Sequence, residues 1–209
     1  MARVRSWLAL VDGETGIPAK FHGLTLESFP DQSSPALTTV RSWLDGGLNA
    51  PGLFLCGLFG RGKTGLVIAA LRSAVTEQGV ESGGSVDARS LGCFTTTTAM
   101  LESLRPQDKG ETTNAASLRR YRSARWLALD DLGAERLTEW GADRLFEVIN
   151  HRHNALLPML VTSNLSPNEL AQKINRQVGD SSGNRIVERL VESCTVIRFD
   201  DAAPNWRLS

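Results

Sequence analysis

This sequence lacks a net charge. Its 23 basic and 23 acidic residues cancel. A protein that attracts nucleic acid through its whole surface carries a clear basic excess. The balance excludes that class of protein, so any contact with nucleic acid has to come from a local basic patch.

Cysteine and long apolar runs are also scarce. The three cysteines form no C-x-x-C pair, which excludes a disulfide framework and gives no sign of a structural metal site. The first sixteen residues hold only a short apolar stretch without a small-residue cleavage site. We therefore expect a cytoplasmic protein that does not span a membrane.

The length of the chain limits the number of domains. Its 209 residues suffice for one substantial domain with a short appendage.

The segment GLFGRGKTG (57–65) has the pattern of a phosphate-binding loop. An apolar run before it predicts a strand, and the apolar periodicity after it predicts a helix, which is the context that such a loop requires. Its glycines let consecutive N–H groups face one oxyanion, and Lys63 would contact the β- and γ-phosphates. The predicted nucleotide-binding residues here are Gly57, Gly60, Arg61, Gly62, Lys63, Thr64 and Gly65.

Polar residues end two further buried strands. RWLALDD (125–131) ends in Asp130 and Asp131, and PMLVTSN (158–164) ends in Asn164. Ligands of parallel sheets sit at the carboxyl ends of the strands, so we expect these residues to converge with the phosphate loop. Thr64 and Asp130 would hold Mg²⁺, and Asp131 would orient or deprotonate water. Asn164 would contact the γ-phosphate and the water, although turn and capping roles explain Asp131 and Asn164 as well.

Two groups of arginines are further candidates. Arg185 and Arg189 share a helix face and would reach a neighbouring subunit's γ-phosphate as an arginine finger, or form an ion-paired surface. RRYRSAR (119–125) is the basic cluster of the chain. It would track a nucleic-acid backbone and stack a base, or form a solvated surface. The residues predicted to contact nucleic acid are Arg119, Arg120, Tyr121 and Arg122.

Apolar strands alternate with helical stretches along most of the chain. This alternation predicts an α/β fold with a five-stranded, mostly parallel sheet flanked by helices on both faces. Several segments also resemble AAA+ ATPases of the DnaC/DnaI helicase-loader group: IPAKFHGLTLESF, LFLCGLFGRGKTGL, DDLGAERLTEWGADRLFEVINHRHN, PMLVTSNLSPNELA and NRIVERL. The resemblance implies a P-loop AAA+ domain over residues 17–209, preceded by a short extension, residues 1–16. IstB-type transposition helper ATPases share much of the pattern and are the nearest alternative.

The resemblance also implies roles for single residues. Lys63 and Thr64 match Walker A, Asp130 and Asp131 match Walker B, and Asn164 matches sensor 1.

The first and last segments that resemble this group imply further residue roles. Arg189 matches the arginine finger, with Arg185 as its companion. Arg207 matches a C-terminal arginine near the nucleotide, and Ile17 and Pro18 would border the adenine.

The function that the resemblance implies is a Mg²⁺- and ATP-dependent switch. Such a protein forms nucleotide-dependent homo-oligomers, binds single-stranded DNA and engages a replicative helicase or another replication or transposition protein, with ATP hydrolysis as the release step. Residues 100–121 fall where initiator-type members touch single-stranded DNA. Because only sixteen residues precede Ile17, we expect the helicase-gripping N-terminal domain of the loaders to be absent. A DNA-binding adaptor with structural ATP and a small-molecule kinase are the other functions open to such a chain.

Overall fold

The computed structural model describes residues 2–47, 50–83, 85–106 and 112–199. Its strands are β1 (Gly52–Gly57), β2 (Gly92–Thr96), β3 (Trp126–Asp130), β4 (Met159–Ser163) and β5 (Cys194–Phe199). Its helices are α1 (Ala2–Glu14), α2 (Pro35–Asp45), α3 (Lys63–Glu81), α4 (Ala88–Leu91), α5 (Thr97–Ser103), α6 (Ala115–Ser123), α7 (Glu139–Asn154), α8 (Pro167–Val178) and α9 (Ser182–Ser193). Single 3₁₀ turns lie at Ala19–Phe21 and Leu26–Ser28.

The five strands form one sheet in the order β2-β3-β4-β1-β5. Every neighbouring pair is parallel, which confirms the predicted α/β architecture. Parallel order brings the carboxyl ends of all five strands to one edge, and the polar residues of the three motifs lie at that edge.

Each face of the sheet is covered by helices, which explains why the strands are apolar on both sides. Along β1, Leu53 and Leu55 belong to the cluster formed with α1, α2, α3 and α4. Phe54 and Cys56 belong to the opposite cluster, formed with α5, α6, α7, α8 and α9. The alternation follows from the two-residue period of a strand.

The first fourteen residues include a helix that the sequence did not predict. α1 packs on α3, where the Trp7 ring occupies the space that a side chain at Gly79 would take. Arg72 on α3 pairs with Asp12 at 2.6 Å, and both are largely buried. Residues 1–16 were predicted as an extension, and α1 contributes to the same core as the rest of the chain. The boundary at residue 17 stays a prediction.

No helix in the described part of the chain is both long enough and apolar enough to cross a bilayer.

Candidate nucleotide site

A cleft of about 750 Å³ opens at the carboxyl edge of the sheet. The phosphate loop forms its floor, the ends of β3 and β4 form one wall, and the segment with the two 3₁₀ turns forms the other. The residues that line it and were predicted from sequence are Pro18, Gly60, Arg61, Gly62, Lys63, Thr64, Gly65, Asp130, Asp131 and Asn164. The tertiary fold therefore brings the phosphate loop and both strand-end motifs into one cavity.

Glycine geometry shapes the phosphate loop. Gly60 and Gly62 have φ angles of 79° and 78°, a left-handed conformation that costs other residues free energy. Gly57 does not line the cleft, but its φ is 117° and a Cβ there would collide with the Phe199 carbonyl. Gly62 caps α3, so the loop leads directly into the positive end of a nineteen-residue helix.

The Lys63 side chain is buried at the centre of the loop, with only 6% of its surface exposed. Its Nζ donates to the carbonyl oxygens of Gly57 and Leu58, both at 2.7 Å, and to Oδ1 of Asn164 at 2.9 Å. These acceptors are neutral. An anionic phosphate oxygen would compete with them for the ammonium, since charge-assisted hydrogen bonds are stronger.

Asp130 and Thr64 meet at the entrance to α3. Thr64 Oγ1 donates to Asp130 Oδ1 at 2.8 Å, and Thr162 Oγ1 donates to the same oxygen at 2.6 Å. Burial raises the pKa of the Asp130 carboxyl, while the two hydroxyl bonds act in the opposite direction.

The oxygens of Thr64 and Asp130 fit Mg²⁺. This ion prefers oxygen ligands and typically binds one or two carboxylates together with substrate phosphates and water. Within the described residues no group of three or more His, Cys, Asp or Glu side chains is arranged to hold a metal. A magnesium ion at this position would take its remaining ligands from nucleotide phosphates and water.

Asn164 links the lysine to the second carboxylate. Its Nδ2 donates to Asp131 Oδ1 at 2.9 Å, while its Oδ1 accepts from Lys63. Asp131 has a φ of 59°, which is rare for a residue other than glycine, and its N–H donates to Thr162 Oγ1 at 2.9 Å. The amide and the carboxylate both line the cleft, and their contact with a water molecule beside a γ-phosphate stays a prediction.

A family model of IstB-like ATP-binding proteins matches residues 35–207, most of the chain. The chain belongs to this family.

Similar proteins agree with that membership. The chain is 29% identical over 154 residues to the replicative helicase loader DnaI of Bacillus subtilis (strain 168), a match that covers 71% of this chain. It spans 46% of the length of that curated relative.

Two solved structures show the same fold. A DnaC helicase loader has a TM-score of 0.68 at 23% identity, covering 88% of this chain and 100% of that one. A DnaI structure has a TM-score of 0.67 at 21% identity, covering 92% and 95%. The predicted resemblance and the P-loop AAA+ fold are both confirmed.

Of the two residues predicted to border an adenine, only one lines the cleft of this IstB-like protein. Pro18 lines the cleft, but Ile17 does not, because its side chain is 4% exposed and packs in the core. Its carbonyl accepts a hydrogen bond from Nε2 of His22 at 3.0 Å. The apolar wall consists instead of residues that sequence reasoning missed: Phe21, Leu24, Phe29, Pro30, Phe59 and Phe94.

The two candidate finger arginines lie on α9 and do not line the cleft of their own chain. Arg189 Nη1 pairs with Glu192 at 2.7 Å, which is the ion-paired surface weighed as the alternative. The Arg185 guanidinium lies 5.0 Å from the Phe146 ring centroid and donates to Ser182 Oγ. An arginine-finger role in a neighbouring copy stays a prediction. Arg207 lies outside the described residues.

The basic cluster forms α6, and one of its predicted roles is wrong. Tyr121 is 7% exposed, packs in the core and shares a hydrogen bond with Ser103 Oγ at 2.8 Å, so its ring is not placed to stack on a base. Arg122 pairs with Glu147 at 3.5 Å. Arg119 and Arg120 are exposed, and their contact with nucleic acid stays a prediction.

Thr162 is one of the polar residues of the site that sequence reasoning missed, together with Lys20, Ser28 and Thr96. The signal was present, because residues two apart on a strand share a face and Thr162 stands two before Asn164. Its hydroxyl contacts both Walker B residues, which the sequence alone does not show.

Proposed function

We propose that this chain is a Mg²⁺-dependent AAA+ ATPase that acts as an assembly switch on DNA. The observation that carries the proposal is the single hydrogen-bond network of the cleft. It joins Lys63 through Asn164 to Asp131, and Thr64 to Asp130. The Thr162 hydroxyl links the two parts, because it accepts from the Asp131 N–H and donates to Asp130 Oδ1. These are the groups that phosphoryl transfer to water requires: a phosphate contact, a metal-holding pair and a water-orienting pair.

In this mechanism the residues mainly position and stabilise charge. Lys63 and the backbone N–H groups of the loop bind the β- and γ-phosphates, and a Mg²⁺ held by Thr64 and Asp130 would neutralise part of the phosphate charge. Asp131 and Asn164 orient a water for attack on the γ-phosphorus. The water oxygen bonds to the γ-phosphorus, the bond to the β-phosphate oxygen breaks, ADP and inorganic phosphate are the products, and Asp131 accepts the proton of the water.

Substitution of Lys63 tests the enzymatic part of the proposal. Lys63→Ala removes the buried ammonium, so ATP turnover should fall by about a hundredfold or more. Arg176→Ala on the exposed side of α8 removes one positive charge outside the cleft and should turn over ATP like the wild type. Steady-state phosphate release with both variants is the measurement. Wild-type ATP affinity and turnover in Lys63→Ala would refute the assignment.

The same assay separates the switch from an adaptor with structural ATP. An adaptor would bind ATP tightly and release no phosphate above the rate of the Lys63→Ala variant, with or without single-stranded DNA. A kinase would transfer phosphate to a small acceptor instead of water.

We propose a replicative helicase as the protein partner, because the relative that shares 29% of aligned residues is named a replicative helicase loader. Membership of the IstB-like family makes a transposition protein the second candidate. Gel filtration of the chain with the helicase of its host should show a complex with ATP that dissociates after hydrolysis. A complex with a transposase instead would move the assignment to transposition.

A further inference from the structure

The Thr162 side chain forms hydrogen bonds with both Walker B positions, Asp130 and Asp131. It lies on β4, is 2% exposed, and its hydroxyl makes two hydrogen bonds. Oγ1 donates to Asp130 Oδ1 at 2.6 Å and accepts from the N–H of Asp131 at 2.9 Å. A hydroxyl carries a single proton, so the bond from Asp131 leaves that proton directed at Asp130.

The regular pairing of β3 with β4 ends just before these residues, at Leu129 and Val161. Beyond that point the β4 end holds the Walker B turn through other bonds. The Leu132 N–H donates to the Thr162 carbonyl at 2.8 Å, and Ser163 Oγ donates to the Leu132 carbonyl at 2.6 Å. The left-handed backbone at Asp131 lies within this turn, and such conformations persist where surrounding bonds hold them.

The Asp130 carboxylate therefore receives hydroxyl bonds from two elements, from Thr64 on α3 and from Thr162 on β4. In the proposed ATPase the Thr64 hydroxyl would turn toward Mg²⁺ when a nucleotide binds. The bond from Thr162 would then remain to hold the carboxylate in its orientation. A β-branched side chain suits this task because its χ1 angle is restricted.

We propose that Thr162 is a positioning residue for the ATPase reaction. Its hydroxyl sets the orientation of the metal-holding Asp130 carboxylate and, through the N–H of Asp131, the backbone that presents the water-orienting carboxylate. This inference rests on the proposed ATPase function.

Thr162→Val tests the inference, since valine keeps the shape and removes both hydrogen bonds. Thr162→Ser restores the hydroxyl. The matched control is Thr76→Val on α3, because Thr76 is also buried and its hydroxyl makes no hydrogen bond within the described residues. The readouts are kcat and KM for ATP, and the Mg²⁺ dependence of binding of a fluorescent ATP analogue.

In Thr162→Val, kcat should fall and the Mg²⁺ concentration for half-maximal binding should rise, each by about tenfold to a hundredfold. Binding of the analogue without Mg²⁺ should stay within about twofold of wild type, because the phosphate loop is unchanged. Thr162→Ser should recover most of both losses, and Thr76→Val should match the wild type. If Thr162→Val does not fold, Thr162→Cys replaces it, since a thiol is a weak donor and acceptor.

The inference is overturned if wild-type chain hydrolyses ATP and the hydroxyl-free variant keeps the kcat and Mg²⁺ dependence of Thr76→Val. The inference is also overturned if Thr162→Val loses analogue binding without Mg²⁺ as strongly as it loses binding with Mg²⁺. That result indicates general damage to the cleft. If the wild type shows no turnover, the proposed function fails, and the Mg²⁺ dependence of analogue binding still decides whether Thr162 orients Asp130.

Discussion

Arg152 shows how much one buried side chain contributes at the scale of the residue. It is fully buried, and its guanidinium donates to the carbonyl oxygens of Tyr121, Ala124, Arg125 and Pro158 at 2.7–3.1 Å. Burial lowers its pKa to about 9, so the group stays protonated at neutral pH. The four carbonyls belong to the segments that enter β3 and β4, so this arginine fixes the amino ends of the strands that end at Asp130 and Ser163.

Arg152→Met should destabilise the fold by about 3 kcal/mol or more, because it leaves buried carbonyl oxygens without donors. Arg152→Lys should recover little of the loss, since a single ammonium cannot reproduce the planar fork. Urea unfolding measures both variants against Arg136→Met, an exposed arginine whose replacement should change stability by less than about 0.5 kcal/mol. An Arg152→Met variant as stable as that control would show that water satisfies the carbonyls.

At the scale of the element, α6 is an amphipathic helix. Its two faces place some residues of the basic cluster in the core and others at the surface. Leu118 and Tyr121 pack in the core, while Arg119 and Arg120 are exposed. Arg122 is partly neutralised by Glu147 and contacts Nδ1 of His151. The helix therefore exposes Arg119 and Arg120 at the surface, while its tyrosine ring is buried, and contact of the two arginines with nucleic acid stays a prediction.

Changing both Arg119 and Arg120 to Ala should weaken binding of a single-stranded oligonucleotide and lower the salt slope of log Kd by about 1 to 1.5. Arg122→Ala on the same helix should have a smaller effect, because its charge is already paired. Fluorescence anisotropy over a range of salt concentrations compares the two. Identical slopes in all variants would place the DNA contact elsewhere or remove it from the proposal.

At the scale of the whole molecule, the candidate finger lies apart from the site that it would complete. Arg189 is 34% exposed on α9, bonded to Glu192, and does not line the cleft of its own chain. Exposed ion pairs contribute little free energy, so a stronger anionic partner can displace this one. Under the arginine-finger hypothesis, this partner would be a γ-phosphate in the cleft of a second copy.

Arg189→Ala should keep the ATP affinity of the wild type and lose most turnover, about a thousandfold if it acts as an arginine finger. Mixing it with Asp131→Asn should restore part of the activity, because the second variant supplies the arginine and the first supplies an intact cleft. Phosphate release from the mixture is compared with each variant alone. Activity equal to the sum of the separate variants would contradict a site shared between copies.

Elements with a strong local pattern were predicted well, and elements held by distant contacts were not. The capping box at the start of α8 is such a local pattern, because Ser166 and Glu169 stand three residues apart, and the Ser166 N–H donates to Glu169 Oε2 at 2.8 Å. α4 is a single helical turn that Asp87 caps within a stretch rich in glycine and serine, a composition typical of loops. α1 was missed because the packing of Trp7 against Gly79 stabilises it, and that contact joins residues far apart in the chain.

The sequence by itself determined the parallel α/β sheet, the phosphate loop and the convergence of Lys63, Asp130 and Asn164. Strand periodicity and strand ends are local properties, and parallel order brings those ends to one edge. Only the tertiary structure decided that Ile17 and Tyr121 face the core and that Thr162 bonds to both Walker B residues. Those outcomes depend on which neighbour a side chain meets after packing, and no local pattern specifies that neighbour.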